Sequence, residues 1–363
     1  MELSTRLSRP SASAEGWLQK VGGLTALPRL LSERGLAPSR VLRAAGLEPQ
    51  ALARSDRWVP YAAVARSLAE AVRSSRCPHF GLLVGRETRL ADLGAAGALM
   101  LGAPTVGAAL RAFTAHQGQN SAGGTAFLQE HERSVCFGYA VFHPDIEHAG
   151  PVYDVAAAVG ITLMRELCGP GWCPSAVELP HRRSSNPQPY EQLFRCPVRF
   201  DADHFAMRFP AHTMGLPPQR GASPPPLARA LQLPATPDDA FRQQLYRSLR
   251  LLLLEGATRG EQTARALGLH RRTLGRRLQA QGLCFRAALD DVRYGVAREL
   301  LSETDLSVVE IALTLGYAEA SPFVRAFKRW SGVAPLGWRA RQRQTEDDTV
   351  YAWPAATAPL RRA

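Results

Sequence analysis

Lysine is almost missing from this chain. Lys20 and Lys328 are the only two, so arginine supplies nearly all of the positive charge. Nucleotide composition explains that preference as readily as function does, so it says nothing by itself about partners. Cysteine is scarce and scattered, with six residues in 363 and no framework spacing, which argues against a disulfide-stapled secreted scaffold. No apolar run approaches the roughly 18 residues that a membrane-spanning helix needs. The N-terminus is polar, with Arg6 and Arg9 but no apolar stretch behind them, so no secretory leader is read there. A phosphate-cradling glycine loop is also absent, and Gly94, Gly97, Gly102 and Gly107 read as helix ends and close packing. No cysteine sits in the surroundings of a catalytic nucleophile. These absences point to a cytoplasmic protein with reduced thiols that is not an enzyme, and they imply no cofactor and no membrane partner.

The formal net charge is +12, which favours a polyanionic partner as a prior. Its distribution is more telling. Between Asp238 and Arg341 there are 17 basic and 11 acidic residues, a net of +6 in under a third of the chain. Within it, His270–Gln279 holds Arg271, Arg272, Arg276 and Arg277 and no acid. A solvated helix face is the plain alternative for such a run.

Composition divides the chain. Residues 1–15 are Ser-rich and read as a disordered arm, and residues 16–210 mix helical and strand patterns. Pro60-Tyr61 opens a helix towards Arg73, and Pro104-Thr105 opens another to about His116. Thr125–Gln129 and Ser134–Phe142 read as a β-hairpin, followed by a helix over Val152–Leu167 that stops at Gly169-Pro170. Short strands are expected at Ala176–Leu179, Val198–Phe200 and Phe205–Phe209. This is an α+β domain. Eight prolines lie between Pro210 and Pro237, so 211–237 reads as a semi-rigid linker. Residues 238–341 are helical almost throughout, and 342–363 read as a disordered tail.

The second domain repeats itself. Ala264, Leu267 and Gly268 recur 48 positions on as Ala312, Leu315 and Gly316, and Leu274, Arg276 and Leu278 recur 49 positions on as Phe323, Arg325 and Phe327. Each copy is an apolar helix, a glycine break and a second helix carrying arginine, which is the pattern of a helix-turn-helix. The small Ala264 and Ala312 let two helices cross closely, and Gly268 and Gly316 permit the left-handed turn. The i, i+4 pairs Leu274/Leu278 and Phe323/Phe327 bury one face of each second helix and leave the other to a DNA groove. Outward on the first are Arg271, Arg272, Thr273 and Arg276. On the second they are Glu319, Ser321 and Arg325, with Lys328 and Arg329 a turn further, placed for phosphates. Arginine can grip guanine O6 and N7 together. Between the units Phe285, Leu289, Val292, Val296 and Leu300 mark a spacer helix of about 25 Å, compatible with recognition helices in successive major grooves roughly 34 Å apart.

On these residues Ala264–Arg339 resembles the DNA-binding domain of the AraC/XylS family of bacterial transcription regulators. The downstream half, IALTLGYAEASPFVRAFKRWSGVAPLGWR, has Ile311, Ala312, Gly316, Tyr317, Phe323, Phe327, Gly332, Pro335 and Arg339 at the expected places. One departure is that Ala320 and Pro322 are apolar where relatives often carry polar groups. That leaves base reading by the second helix to Glu319, Ser321 and Arg325. More loosely, His79–Phe113 and Pro189–Pro210 resemble the sensor domain of regulators that respond to amino acids, amines or related metabolites. The resemblance implies promoter DNA, a small-molecule effector, RNA polymerase and a homodimeric partner, with an activator's role. It assigns no effector residue; Phe113, His116, Tyr139 and Tyr153 are candidates for a pocket, with ordinary core or surface the stronger reading of each.

Two other constellations compete. His143, Asp145, Glu147 and His148 are metal-ligand types within six residues, but Pro144 and Gly150-Pro151 make the segment a turn. Cys168, Cys173 and Cys196 offer a thiol or metal switch, and with it a redox-sensing regulator as the alternative function; an enzymatic first domain is the remaining reading.

Overall fold

The computed structural model describes residues 17–143, 146, 148–219, 237–256 and 258–351. The expected disordered arm, most of the expected linker and the end of the chain lie outside the described residues.

The first half begins with a two-stranded antiparallel ribbon, β1 (Leu18–Lys20) against β2 (Trp58–Pro60). Between and after these strands come short helices α1 (Leu27–Ser32) and α2 (Pro38–Ala44), then α3 (Tyr61–Ser75), α4 (Phe80–Gly85), α5 (Gly94–Leu101) and α6 (Val106–His116). α3 starts directly after Pro60, as the sequence predicts. α6 is capped by Thr105, whose Oγ1 accepts from the Ala108 amide at 3.1 Å. The hairpin β3 (Gly124–Glu130) and β4 (Ser134–Val141) pairs Ala126 with Tyr139 and Phe127 with Gly138. α7 (Gly150–Cys168) follows and ends at Gly169. After it come β5 (Ala176–Glu178), α8 (Gln188–Phe194), β6 (Val198–Arg199) and β7 (Phe205–Pro210). The sheet order is β3-β4-β7-β5-β6, antiparallel except for β5 with β6. The α+β reading therefore holds, with strand positions within a residue or two of those expected.

Residues 211–219, expected within the linker, pack on the first half instead. Ala211–Gly215 form a 3-10 turn with Met214 buried, the Leu216 carbonyl accepts from the Val106 amide at 2.9 Å, and Gln219 donates its amide to Leu167 O at 2.7 Å. The proline density that suggests a spacer also suits an extended strap, whose amides need few partners.

The second half is helical: α9 (Pro237–Leu254), α10 (Gly260–Ala266), α11 (Arg271–Ala280), α12 (Phe285–Glu303), α13 (Val308–Thr314), α14 (Ala320–Ser331) and α15 (Pro335–Tyr351). α15 runs through the start of the expected disordered tail. No glycine or proline interrupts Trp338–Tyr351, and arginine, glutamine and glutamate are good helix formers, so the helix continues to just short of Pro354.

One apolar core runs through both halves. Phe241, Leu245 and Leu249 of α9 and Val292, Val296 and Leu300 of α12 join the same cluster as Tyr153, Phe205 and Met207 of the first half. The sheet carries a division of labour in its pleat. Phe127, Cys136, Ala140 and Ala206 on one face meet Leu251 and Leu254 of α9. Neighbouring residues of the same strands point the other way, as the two-residue period requires.

Candidate nucleic-acid interface and sensor cavity

α10 and α11 form the first helix-turn-helix. Ala264 is 2% exposed at the crossing, Gly268 takes φ +64° in the turn, and Leu274 and Leu278 are buried. The Nδ1 atom of His270 caps α11 by accepting from the Arg272 amide at 3.3 Å. Arg271, Arg272 and Arg276 are exposed and Thr273 is half-buried. Among the described residues none of these three arginines makes a side-chain hydrogen bond or ion pair, so each guanidinium is left to solvent or a ligand. Arg277 is different, because its guanidinium lies 5.7 Å over the Phe241 ring of α9.

α13 and α14 repeat the arrangement. A capping box joins Ser307 and Glu310, Gly316 takes φ +73°, and Phe323 and Phe327 are fully buried. Glu319 stands just before α14 without a side-chain bond to its amides, and Glu319, Ser321, Arg325 and Lys328 are exposed. Arg329, expected at phosphate, is exposed too but is held at 3.1 Å by Asp290 of α12. α12 is 19 residues long, about 28 Å at the usual helical rise.

The end of α12 is clasped by the first half. Arg182 donates from Nη2 to Ser302 O at 2.6 Å and from Nε to Asp305 at 3.0 Å, while its amide meets Glu303 O. The Asp305 amide donates to Asp201 at 2.6 Å, and Thr314 Oγ1 donates to Asp203 at 3.2 Å. Deeper in, Arg250 of α9 and Glu299 of α12 lie 3.8 Å apart and almost wholly buried. Burial pushes the Glu299 carboxyl up to about 7 against the pull of Arg250. On the far side of the sheet Arg247 donates to Thr125 Oγ1 at 2.9 Å and to Thr114 O at 2.7 Å.

The first half also holds a partly open cavity of about 140 Å³ between α3, α7 and the sheet. Of the four proposed pocket residues, Phe113 and Tyr139 line it. The other two are engaged elsewhere. His116 contacts Ala112 O through Nδ1 at 2.9 Å, and Tyr153 is fully buried with its hydroxyl accepting from the Val141 amide at 3.0 Å. Sequence reading missed Tyr61 and Ser121 on the cavity wall, and Arg250 and Glu299 at the junction. Glu299 had a signal: it lies seven positions after Val292 and three after Val296, on the stripe of α12 that ought to be apolar.

The competing constellations fall differently. His143 is buried and stacked on Tyr61 at 5.8 Å, and burial lowers it to about 3, so it is neutral. His148 pairs with Glu303 at 3.6 Å, while Asp145 and Glu147 lie outside the described residues. Cys168 and Cys196 are free thiols that burial pushes up to about 11, and Cys173 is an exposed free thiol. A high pKa leaves little thiolate, the form that reacts. None of the described helices is long and apolar enough to cross a membrane.

Two recognition units on a common helical frame, beside a domain with a partly open cavity, define a DNA-binding regulator with a sensor half. Residues 35–218 match the model of the N-terminal arabinose-binding domain of AraC transcription regulators, and residues 263–341 match a helix-turn-helix domain. The chain belongs to the AraC family of transcription regulators. It is 28% identical over 335 residues to the HTH-type transcriptional regulator VirS of Mycobacterium tuberculosis, covering 90% of this chain and 97% of that one. It is 43% identical over 79 residues to the ornithine utilization regulator of Pseudomonas aeruginosa, covering 22% of this chain and 23% of that protein. Among solved structures it is similar to the transcriptional regulator CdpR of Pseudomonas aeruginosa, at 24% identity and a TM-score of 0.42 over 87% of this chain and 97% of that one.

Proposed function

We propose that this regulator is a cytoplasmic activator that works as a homodimer on promoter DNA, recruits RNA polymerase and is controlled by a small effector bound in its first half. It acts by binding and not by turnover. Arg271, Arg272, Thr273 and Arg276 read bases from α11, and Glu319, Ser321 and Arg325 read them from α14. Lys328 meets phosphate, and so does Arg329 once it is released from Asp290. The observation that carries the reading is the exposure of Arg271, Arg272 and Arg276 on α11, none of which has a side-chain partner among the described residues. Effector binding acts by differing affinity for two arrangements of the halves.

Footprinting on the promoter region of the chain's own operon tests it. Arg272→Ala with Arg276→Ala is expected to lose site-specific protection at unchanged melting temperature, at on the order of 1–3 kcal/mol for each lost bidentate contact. Undiminished protection by the double variant would remove the base-reading assignment. For Lys328→Ala, binding falls by a similar factor on every sequence and the salt dependence becomes shallower by about one ion. A loss confined to the specific site would count against a phosphate role.

A further inference from the structure

The cavity in the first half is built for a narrow class of molecule. Its wall is mostly aliphatic and aromatic, with Leu24, Val64, Leu68, Phe137, Val159 and Leu163 among the contributors. Two charged side chains reach it, Lys20 and Asp92, and they are of opposite sign. Both are also engaged. The Lys20 ammonium lies 5.5 Å over the Trp58 ring, and Asp92 accepts from the Arg89 amide at 2.8 Å. Three carboxamides also line the wall, each with one atom engaged by backbone: Gln19 donates to Lys20 O at 2.9 Å, Asn120 donates to Leu93 O at 3.1 Å, and Gln117 Oε1 accepts from the Ala126 amide at 3.4 Å.

Beside Thr88, the hydroxyls of the wall form a chain of three. Tyr61 and Tyr139 meet at 3.2 Å, and Ser121 meets Tyr139 at 3.2 Å. Three hydroxyls bring three protons, and two hydrogen bonds within the chain use two of them. Among the described residues, one donor and several lone pairs are therefore left for something in the cavity. The backbone makes room for this cluster. A Cβ at Gly124 would sit 2.1 Å from the Tyr139 hydroxyl, and one at Gly123 would sit 2.4 Å from the Tyr61 ring.

We propose that the cavity binds a neutral, benzene-sized molecule that carries a single hydrogen-bonding head group, seated on Tyr61, Tyr139 and Ser121. The size follows from the volume, since an apolar cavity of about 150 Å³ accommodates benzene. Neutrality follows from the wall, because a buried charge without an opposite charge or several hydrogen bonds is strongly disfavoured. A sugar fits this wall less well, because each hydroxyl it buries needs a partner and most of the lining is apolar. The proposal rests on the effector-controlled reading above and names the chemistry of that effector.

The test uses the full chain and five probes that differ in one feature: benzyl alcohol, toluene, benzoate, benzylamine and L-arabinose. Titration calorimetry is expected to give saturable binding of benzyl alcohol, at least tenfold weaker binding of benzoate and benzylamine, and none of arabinose. Tyr139→Phe should erase the preference for benzyl alcohol over toluene, and toluene binding that persists shows that the variant is folded. Ala156→Trp should fill the cavity and abolish both. A charged probe or arabinose binding as tightly as benzyl alcohol overturns the ligand class, and so does no binding of any probe. An unchanged preference in Tyr139→Phe overturns the seat. Promoter binding is measured on the same preparations. Intact DNA binding with the wrong ligand profile sinks only this proposal, whereas the expected profile without DNA binding sinks the regulator reading and leaves the cavity chemistry standing.

Discussion

Glu299 sits where a leucine would be expected, and its neighbours explain why it persists in so apolar a place. Arg250 supplies an opposite charge 3.8 Å away, yet Glu299 Oε1 and two nitrogens of Arg250 make no hydrogen bond within the described residues. Such a pair is poorly compensated. Because burial lifts the folded-state carboxyl from 4.5 to about 7, its protonated form stabilises the fold. That contribution is complete below about pH 4.5 and is lost as the pH rises through about 7. Denaturant melts of Glu299→Gln beside the parent should show the stability difference moving in the variant's favour, by on the order of 2 kcal/mol, between pH 5 and pH 8. A pH-independent difference would mean that Glu299 is ionised throughout. His181 has the opposite charge preference: burial opposes its protonation, but Asp154 at 3.0 Å holds it up to about 9. The same Asp154 accepts from Tyr190 at 2.9 Å, so Asp154→Asn should cost about 3–5 kcal/mol in a urea melt by leaving a charged imidazole unpaired.

At the scale of elements, the repeated turn is the feature with the plainest energetics. Gly268 takes a left-handed φ of +64°, and a Cβ there would meet nothing within 4 Å. Gly268→Ala therefore tests backbone strain alone, and about 1–2 kcal/mol of destabilisation is expected in a urea melt, with DNA affinity falling as α10 and α11 tilt. A neutral result would show that the turn relaxes. The same elements show what could be read from residues alone. Spacing placed α11, α12 and α14, because burial in a helix pair leaves a 3.6-residue signature on both copies. β3, β4 and α7 were equally legible from alternation and from the Gly169 stop. The short helices α1, α2, α4 and α8 were not, since six or seven residues complete too few turns to show a period. Nor was the hydroxyl cluster, whose members are distant in sequence and meet only through β1, α3 and the hairpin. Exposure of Arg271, Arg272 and Arg276 was legible; the capture of Arg329 by Asp290 across 39 positions was not.

Across the whole molecule, the prolines of 211–237 suggested two bodies on a tether, whereas a single core joins them. Arg182 is the most heavily used fastener on the outside of that joint. Arg182→Ala should free the C-terminal end of α12, at about 1.5–3 kcal/mol for the hydrogen bonds of a charged group. Hydrogen exchange should then quicken over Ser302–Leu306 while α11 and α14 keep their protection. Equal exchange in the two proteins would show that the clasp contributes nothing. The pleat of the sheet has a consequence for how such a regulator can diverge. In β4, Phe137 and Tyr139 face the cavity while Cys136 and Ala140 face α9, and in β3 Ala126 and Phe127 divide in the same way. Odd and even positions of one strand thus belong to different traits. On the proposed reading, a lineage can drift towards a new effector through Phe137 and Tyr139 without disturbing the face on α9, or alter that face through Cys136 and Ala140 while keeping its effector. A single inserted residue would exchange the two sets at once.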